Sequence, residues 1–119
     1  MIQLSHRELQ GLRNAMKNVV SERGTAASAR IADVVLAGKT GTAQNAHDVT
    51  RDHAWFVGFA PADDPKIVVS VMLEFGQHGY YAARVASKVI ERFLKGPPGA
   101  LVAGPPTALA TPIATDSAR

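Results

Sequence analysis

The chain has 119 residues, of which 46% are hydrophobic and 19% charged, a balance typical of one small globular domain and not of a disordered protein. Its formal net charge of +3 raises the question of nucleic-acid binding, but the basic residues are scattered and alternate with glutamates, so solvated helix faces explain them better. Cysteine is absent, which excludes disulfides, thiolate metal sites and cysteine nucleophiles, and no apolar run approaches the ~20 residues that a membrane span needs.

Two segments have the apolar spacing of amphipathic helices. The first covers residues 5–23; Ser5 begins a capping-box pattern with a glutamate three residues later, and Gly24 stands where a C-terminal cap belongs. The second covers residues 80–95 and is followed by Gly96 and two prolines, which cannot continue a helix. The chain is therefore expected to hold a helix near each end of its patterned region.

Three strands are predicted between these helices. Residues 31–44 contain a short apolar run that leads into a threonine-rich stretch, residues 54–60 are dense in aromatic side chains, and residues 67–75 are apolar on both faces. The last of these patterns indicates a strand inside a sheet that is covered on two sides, and the short connection before it predicts an antiparallel hairpin. We expect an α/β fold in which three antiparallel strands are consecutive neighbours, with the last helix on one face and the first helix near the other.

The patterned region ends near residue 95. Residues 1–95 are expected to form one structural unit, whereas residues 96–119 consist mainly of Gly, Pro, Ala and Thr with scarcely any charge. Such a segment buries too little apolar surface to offset its ordering entropy, so it is predicted to be a flexible tail.

The strongest local signal is Lys39-Thr40-Gly41-Thr42-Ala43-Gln44 on the first predicted strand. An acyl-transfer site needs a cation near the substrate carboxylate, hydroxyl groups beside it and a free backbone edge that can pair with an extended peptide. Lys39 can supply the cation, and Thr40 and Thr42 can supply the hydroxyl groups. Gly41 has no side chain, so a ligand could lie against the strand there.

This stretch, followed by His53-Ala54-Trp55-Phe56-Val57-Gly58-Phe59-Ala60-Pro61, resembles the transpeptidase domain of class B penicillin-binding proteins. K-T-G, together with S-x-x-K and S-D-N, is the signature of penicillin-binding proteins and serine β-lactamases. The similarity extends from the first helix, through Gly24-Thr25-Ala26, to Leu94. It implies the C-terminal portion of a penicillin-binding transpeptidase fold.

The resemblance also implies residue roles and partners. Lys39 and the backbone N–H of Thr42, which would complete the oxyanion hole, are the implied catalytic groups, and Thr40, Gly41, Thr42 and Gln44 are the implied substrate-binding residues. The expected ligands are peptidoglycan stem peptides and β-lactam antibiotics, with no cofactor, no metal and no nucleic acid. The expected location is the outer face of the bacterial cytoplasmic membrane, with an anchor in a segment upstream of this sequence.

The nucleophile of the family is missing from this sequence. None of the serines begins an S-x-x-K or an S-x-N pattern, so two of the three signature elements are absent. In the family these elements lie upstream of the first helix, so we expect residue 1 to fall partway through a domain. The N-terminal remainder of that domain is the expected partner, and the chain by itself is predicted to be inactive and to need that partner for stability.

Two other chemistries fit the sequence less well. Gly38-Lys39-Thr40 could end a phosphate-binding loop, but Asp33 stands where the first glycine of that motif belongs, and no helix is predicted at the lysine. His47, Asp48, Asp52 and His53 lack a recurring ligand spacing, so surface polar residues explain them better than a metal site.

Two alternatives to a transpeptidase remain open at this point. One is a non-catalytic module that holds a peptide or a partner protein along the Lys39 edge, and the other is a β-lactamase or sensor-type domain built on the same scaffold.

Overall fold

The computed structural model describes residues 2–48 and 50–97, and the predicted tail from residue 98 onward lies outside them. The order of elements is helix, strand, strand, strand, helix, with one 3-10 turn between the first helix and the first strand. Their bounds are α1 His6–Val19, the 3-10 turn Ala27–Ala29, β1 Ala37–Ala43, β2 His53–Ala60, β3 Ile67–Leu73 and α2 Gly79–Lys95. In the described part of the chain no helix has the length and apolar character needed to cross a membrane.

Helix α1 starts as predicted and ends earlier than predicted. Ser5 is the N-cap: its Oγ accepts a hydrogen bond from the backbone N–H of Glu8, and its own N–H donates to the Glu8 carboxylate at 2.7 Å, which completes the capping box. The prediction that the helix continues to residue 23 was wrong. A Cβ on Gly24 would overlap the carbonyl oxygens of Asn18 and Val19, so the glycine allows the chain to fold back over the end of the helix.

Strand β1 begins later than the sequence pattern indicated. Asp33 has a positive φ of 63°, and Ile31 and Val34 form an isolated antiparallel bridge around it, so this part of the chain is a tight turn. Leu36 is nevertheless buried, with 3% of its surface exposed, and contributes to the core. Within the apolar run before the lysine, Leu36 and Ala37 are buried whereas Val35 is exposed, and β1 begins at Ala37.

The sheet has the predicted topology, with order β1-β2-β3 and both pairs antiparallel. Lys39 lies opposite Val57, and Thr40 lies opposite Phe56. Phe56 is almost completely buried, and the two glycines beside it, Gly38 and Gly58, leave room for its ring, because a Cβ on either one would overlap ring atoms. The two glycines thus allow the ring of Phe56 to pack closely against the sheet.

The two faces of the sheet differ in burial. Helix α2 covers one face with small side chains, which allow the helix to approach closely. The shared core of that face contains Ala54, Phe56, Ala60, Ala82, Ala83, Ala86 and Ile90.

The other face carries exposed apolar residues, and we call it the open face: Trp55, Val57, Val68 and Met72. Helix α1 lies beside β1 and has no buried residue, and Val19 at its C-terminal end packs against the core that α2 shares. In the described part of the chain β3 is an outer strand and its residues alternate between half-buried and exposed positions, so the cover predicted for both of its faces is not supplied by these residues.

Helix α2 agrees closely with its prediction. It begins one residue earlier than expected, at Gly79, and Gly96 caps its C-terminus with a positive φ of 74° and an N–H that donates to the Arg92 carbonyl at 3.0 Å. Its N-terminus comes to lie against β1, which positions it beside the K-T-G segment.

Candidate active site

A cavity of about 470 Å³ lies where β1, the loop after α1 and the N-terminus of α2 meet. It collects four of the five residues that the sequence singled out as site candidates, whereas Gln44 is not part of its lining. The lining residues are Thr25, Lys39, Thr40, Gly41, Thr42, His78, Gly79 and Tyr80.

The K-T-G segment forms an open wall of this cavity. Strand β1 pairs with β2 along one edge, and its other edge has no partner strand among the residues that the structure describes. Successive side chains of a strand point to opposite faces, so Lys39 and Gly41 belong to one face and Thr40 and Thr42 to the other. An edge of this kind can accept an extended peptide by main-chain hydrogen bonding.

Lys39 is the cation of the cavity. Its side chain is exposed, and Nζ donates a hydrogen bond to the carbonyl oxygen of Thr40 at 2.6 Å. Within residues 2–48 and 50–97, no carboxylate forms an ion pair with it. The ammonium group is therefore held over its own strand without a neutralising partner, and it can attract an anionic ligand.

The N-terminus of α2 adds to the positive character of the cavity. His78 is the N-cap residue, and its side chain forms no capping hydrogen bond, so the N–H groups of the first helical turn are not satisfied by a cap. A Cβ on Gly79 would lie 2.8 Å from the Cβ of Thr40 and 3.0 Å from the Gly41 carbonyl oxygen. Glycine at this position allows the positive end of the helix dipole to contact the strand directly.

Aromatic residues close the cavity on the helix side. The rings of His78 and Tyr80 stack with their centroids 5.5 Å apart, and Tyr80 and Tyr81 lie 4.3 Å apart. A hydrogen bond with Tyr81, together with desolvation, raises the pKa of Tyr80 above its usual value. Sequence reasoning assigned no role to these three residues, because their positions in the sequence do not show that His78 and Tyr80 line the same cavity as Lys39.

No serine in the described part of the chain lines the cavity. Ser5 caps α1, Ser21 donates to the Asn18 carbonyl, and Ser87 is buried and donates to the Arg84 carbonyl at 2.9 Å. The described part of the chain thus brings hydrogen-bond donors together in the cavity without a serine among them.

The polar loop that precedes β2 has structural contacts of its own. Hydrogen bonds from the Thr50 hydroxyl and from Arg51 lower the pKa of Asp48 to about 2, and Nδ1 of His53 accepts from the Phe75 N–H at 3.1 Å. The Arg51 guanidinium lies 4.4 Å from the centre of the Phe75 ring. In the residues for which the structure is described, no three His, Cys, Asp or Glu side chains converge as metal ligands.

The comparison with known families decides the assignment. The model of the penicillin binding protein transpeptidase domain matches residues 2–95, which is most of the chain. The chain belongs to the penicillin-binding protein transpeptidase family.

Sequence relatives within this family are peptidoglycan D,D-transpeptidases. The chain is 40% identical over 96 residues to the transpeptidase MrdA of Acinetobacter baumannii, an alignment that covers 70% of this chain and 14% of that protein. It is 47% identical over 60 residues to PbpA of Mycolicibacterium smegmatis, covering 49% of this chain and 12% of the relative. The chain therefore spans about one seventh of the length of the curated relatives that it matches.

Solved penicillin-binding proteins share the fold. Pseudomonas aeruginosa PBP2 in complex with WCK 5153 has a TM-score of 0.68 and 39% identity, over 79% of this chain and 20% of the other. Penicillin-binding protein A from M. tuberculosis, solved as an imipenem acyl-enzyme complex, has a TM-score of 0.62 and 35% identity, over 74% of this chain and 19% of that one. The resemblance to class B penicillin-binding proteins and the predicted fold class are confirmed.

Proposed function

We propose that the chain supplies the carboxylate-binding side of a serine D,D-transpeptidase site, as part of a protein that cross-links peptidoglycan stem peptides. The observation that carries the proposal is the cavity in which Lys39, Thr40 and Thr42 lie beside the N-terminus of α2. All of these groups donate hydrogen bonds or carry positive charge, which suits the terminal carboxylate of a D-Ala-D-Ala peptide.

The reaction would need a serine from another part of the protein. That serine attacks the D-Ala-D-Ala carbonyl carbon, an ester bond forms, the C–N bond breaks, and D-alanine leaves with a proton. An amine of a second stem peptide then attacks the ester, which forms a new amide and returns a proton to the serine. The N–H of Thr42 would stabilise the oxyanion in both steps.

The remaining predicted residues bind and orient the substrate. Thr40 and Thr42 donate their hydroxyl protons to the carboxylate, and Lys39 sets the electrostatic potential of the groove. Gly41 has no side chain and so leaves space for the substrate beside the strand; a Cβ built there would lie 3.4 Å from the Cβ of Trp55. Gln44, one residue beyond β1, would contact the substrate outside the cavity. A β-lactam would place its own carboxylate in the same position and acylate the serine.

The partner is the N-terminal remainder of the domain, which would carry S-x-x-K and S-x-N. The open face of the sheet is apolar, with Trp55 43% exposed and Val68 70% exposed, and the outer edge of β3 has no strand partner in the described region. Covering both would remove apolar area and unpaired backbone groups from water. The parent protein would act at the cell envelope, on the outer face of the cytoplasmic membrane, through an anchor outside this sequence.

Labelling with a fluorescent penicillin tests the proposal. The purified chain alone should not be labelled, whereas its complex with the upstream half of the transpeptidase domain should be labelled on a serine of that half. Lys39→Ala should lower the labelling rate of the complex by about tenfold or more, because hydrogen bonds to charged groups contribute about 1.5–3 kcal/mol. Lys66→Ala, which removes an exposed lysine that pairs with Asp64 on the β2–β3 turn, is the matched control and should leave the rate unchanged.

The other outcomes separate the alternatives. Absence of labelling in every combination would favour a non-catalytic module that binds a peptide or a partner protein. Labelling followed by fast turnover of a chromogenic β-lactam would instead indicate a β-lactamase on the same scaffold.

A further inference from the structure

Thr25 lies in the same cavity as the K-T-G segment although it belongs to a different part of the chain. Its Oγ1 is 3.1 Å from Oγ1 of Thr40, and both side chains line the cavity. The two residues are 15 positions apart in sequence, and the contact joins the loop after α1 to strand β1. None of the roles assigned so far uses this hydroxyl group.

The position of Thr25 is fixed by its two neighbours. The N–H of Ala26 donates to the Val19 carbonyl at 2.8 Å, and Ala26 is completely buried in the core. Gly24 packs against the last carbonyl groups of α1, where a side chain would overlap them. The backbone on both sides of Thr25 is therefore held in place, and its hydroxyl group is presented to Thr40 by the fold.

The number of available protons determines the direction of this hydrogen bond. A hydroxyl group has one proton and can accept two hydrogen bonds, whereas a carboxylate can only accept. When Thr40 donates its proton to a bound carboxylate, it has none left for Thr25. The bond between the two threonines must then run from Thr25 to Thr40, and the two hydrogen bonds polarise each other.

We propose that Thr25 is a positioning residue of the carboxylate site: it donates to Oγ1 of Thr40 and so directs the Thr40 proton into the cavity. This inference rests on the proposed transpeptidase function, because it assumes that a carboxylate occupies the cavity. Gly79 contacts Thr40 from the helix side, so the threonine is held between two parts of the fold. Its side chain is thus oriented before a ligand arrives.

The test measures acylation of the complex between this chain and the upstream half of the domain. Thr25→Val keeps the shape of the side chain and removes the hydroxyl group, so it should slow acylation by benzylpenicillin about threefold to tenfold, the range expected for one hydrogen bond. Thr25→Ser should restore the rate to within about twofold of the original, because it keeps the donor. Ser28→Ala removes an exposed hydroxyl group from the neighbouring 3-10 turn and is the control.

A second ligand separates positioning from a general structural effect. The methyl ester of benzylpenicillin has no carboxylate, so it should acylate the complex more slowly than the acid does. Its acylation rate should be the same for the unmodified complex and for Thr25→Val. An equal loss for acid and ester would overturn the inference, and so would no loss for the acid. If the unmodified complex does not react with penicillin at all, the proposed function itself is wrong.

A measurement on the complex of this chain with the upstream half keeps the inference testable without acylation. Three-bond coupling constants from NMR report the χ1 rotamer of Thr40. We expect one rotamer in the unmodified chain and in Thr25→Ser, and averaging over several rotamers in Thr25→Val. An unchanged single rotamer in Thr25→Val would show that Thr25 does not orient Thr40.

Discussion

Individual residues of the cavity are constrained by close packing as much as by charge. Gly79 lies where the first turn of α2 touches β1, and a side chain there would meet the Cβ of Thr40 at 2.8 Å. That separation is shorter than normal van der Waals contact, so either the helix or the strand must move if a side chain is added. The position of Thr40, whose hydroxyl group is assigned to the carboxylate under the proposed function, therefore depends on a glycine in another element.

Substitution of Gly79 tests this dependence. Gly79→Ala should destabilise the chain by about 1–3 kcal/mol, the usual range for overpacking, despite the higher helix propensity of alanine. Gly11→Ala in the middle of α1 is the matched control, because a Cβ there meets nothing within 4 Å. The control should stabilise the chain by about 0.5–1 kcal/mol. Urea unfolding followed by circular dichroism measures both, and a stabilising Gly79→Ala would contradict the contact.

Among the secondary-structure elements, the two helices and the order of the strands could be predicted from the sequence because they depend on local patterns. Apolar periodicity, the capping pair of Ser5 and Glu8, and Gly96 each act within a few residues of the chain. The end of α1 could not be predicted, because Gly24 is not the residue that caps the helix. It lies in the segment that folds back over the end of the helix.

The candidate site divides in the same way. Lys39 to Thr42 could be recognised because the motif is contiguous and lies on one strand. Thr25, His78 and Gly79 could not, because only the folded chain brings their segments to the strand. Strand β3 is a related case: apolar residues on both faces, such as Val68 and Val69, indicate that both faces are to be buried, and the sequence does not say by which segment.

The loop between β1 and β2 has a pH dependence of its own. The pKa of Asp48 is about 2, below its usual value, because the carboxylate accepts hydrogen bonds from Thr50 and Arg51. A depressed pKa in the folded state stabilises the fold above the pKa of the unfolded chain, about 3.9, and this contribution is lost as the pH falls toward 2.

The difference in stability between the unmodified chain and Asp48→Asn should therefore shrink as the pH is lowered from 5 to 2. Urea unfolding at a series of pH values measures it, and Asp64→Asn on the β2–β3 turn controls for loss of an acidic charge. A difference that stays constant over this range would show that the Asp48 carboxylate gains nothing from its hydrogen bonds.

For the molecule as a whole, the main feature is the group of exposed apolar side chains on the open face. Val57 is 41% exposed and Met72 is 50% exposed, and they lie on the same side of the sheet as Trp55 and Val68. A contiguous apolar surface of this kind on a small protein marks a place where another surface binds. Under the proposed function, the surface that binds the open face belongs to the half of the domain that carries the serine.

A charged residue on the open face should weaken assembly without unfolding the chain. Val68→Lys places a charge at a site that is 70% exposed, so the free energy of unfolding should change by no more than about 0.5 kcal/mol. Binding to the upstream half should weaken about tenfold or more, since a buried unpaired charge costs several kcal/mol. Gln3→Lys adds the same charge at an exposed position before α1 and should not affect binding. Isothermal titration calorimetry and thermal melts measure the two effects, and equal affinities for both variants would exclude this face as the interface.

The hydrogen bond that Lys39 makes to the carbonyl oxygen of Thr40 has a consequence for ligand selection. The ammonium group has three N–H donors and uses one of them on this carbonyl, so two donors remain for an arriving acid. Hydrogen bonds to a charged acceptor are stronger than those to a neutral one, so an uncharged analogue such as an amide should gain less from these donors than an acid does. Under the proposed function, this geometry favours acidic ligands over their neutral mimics.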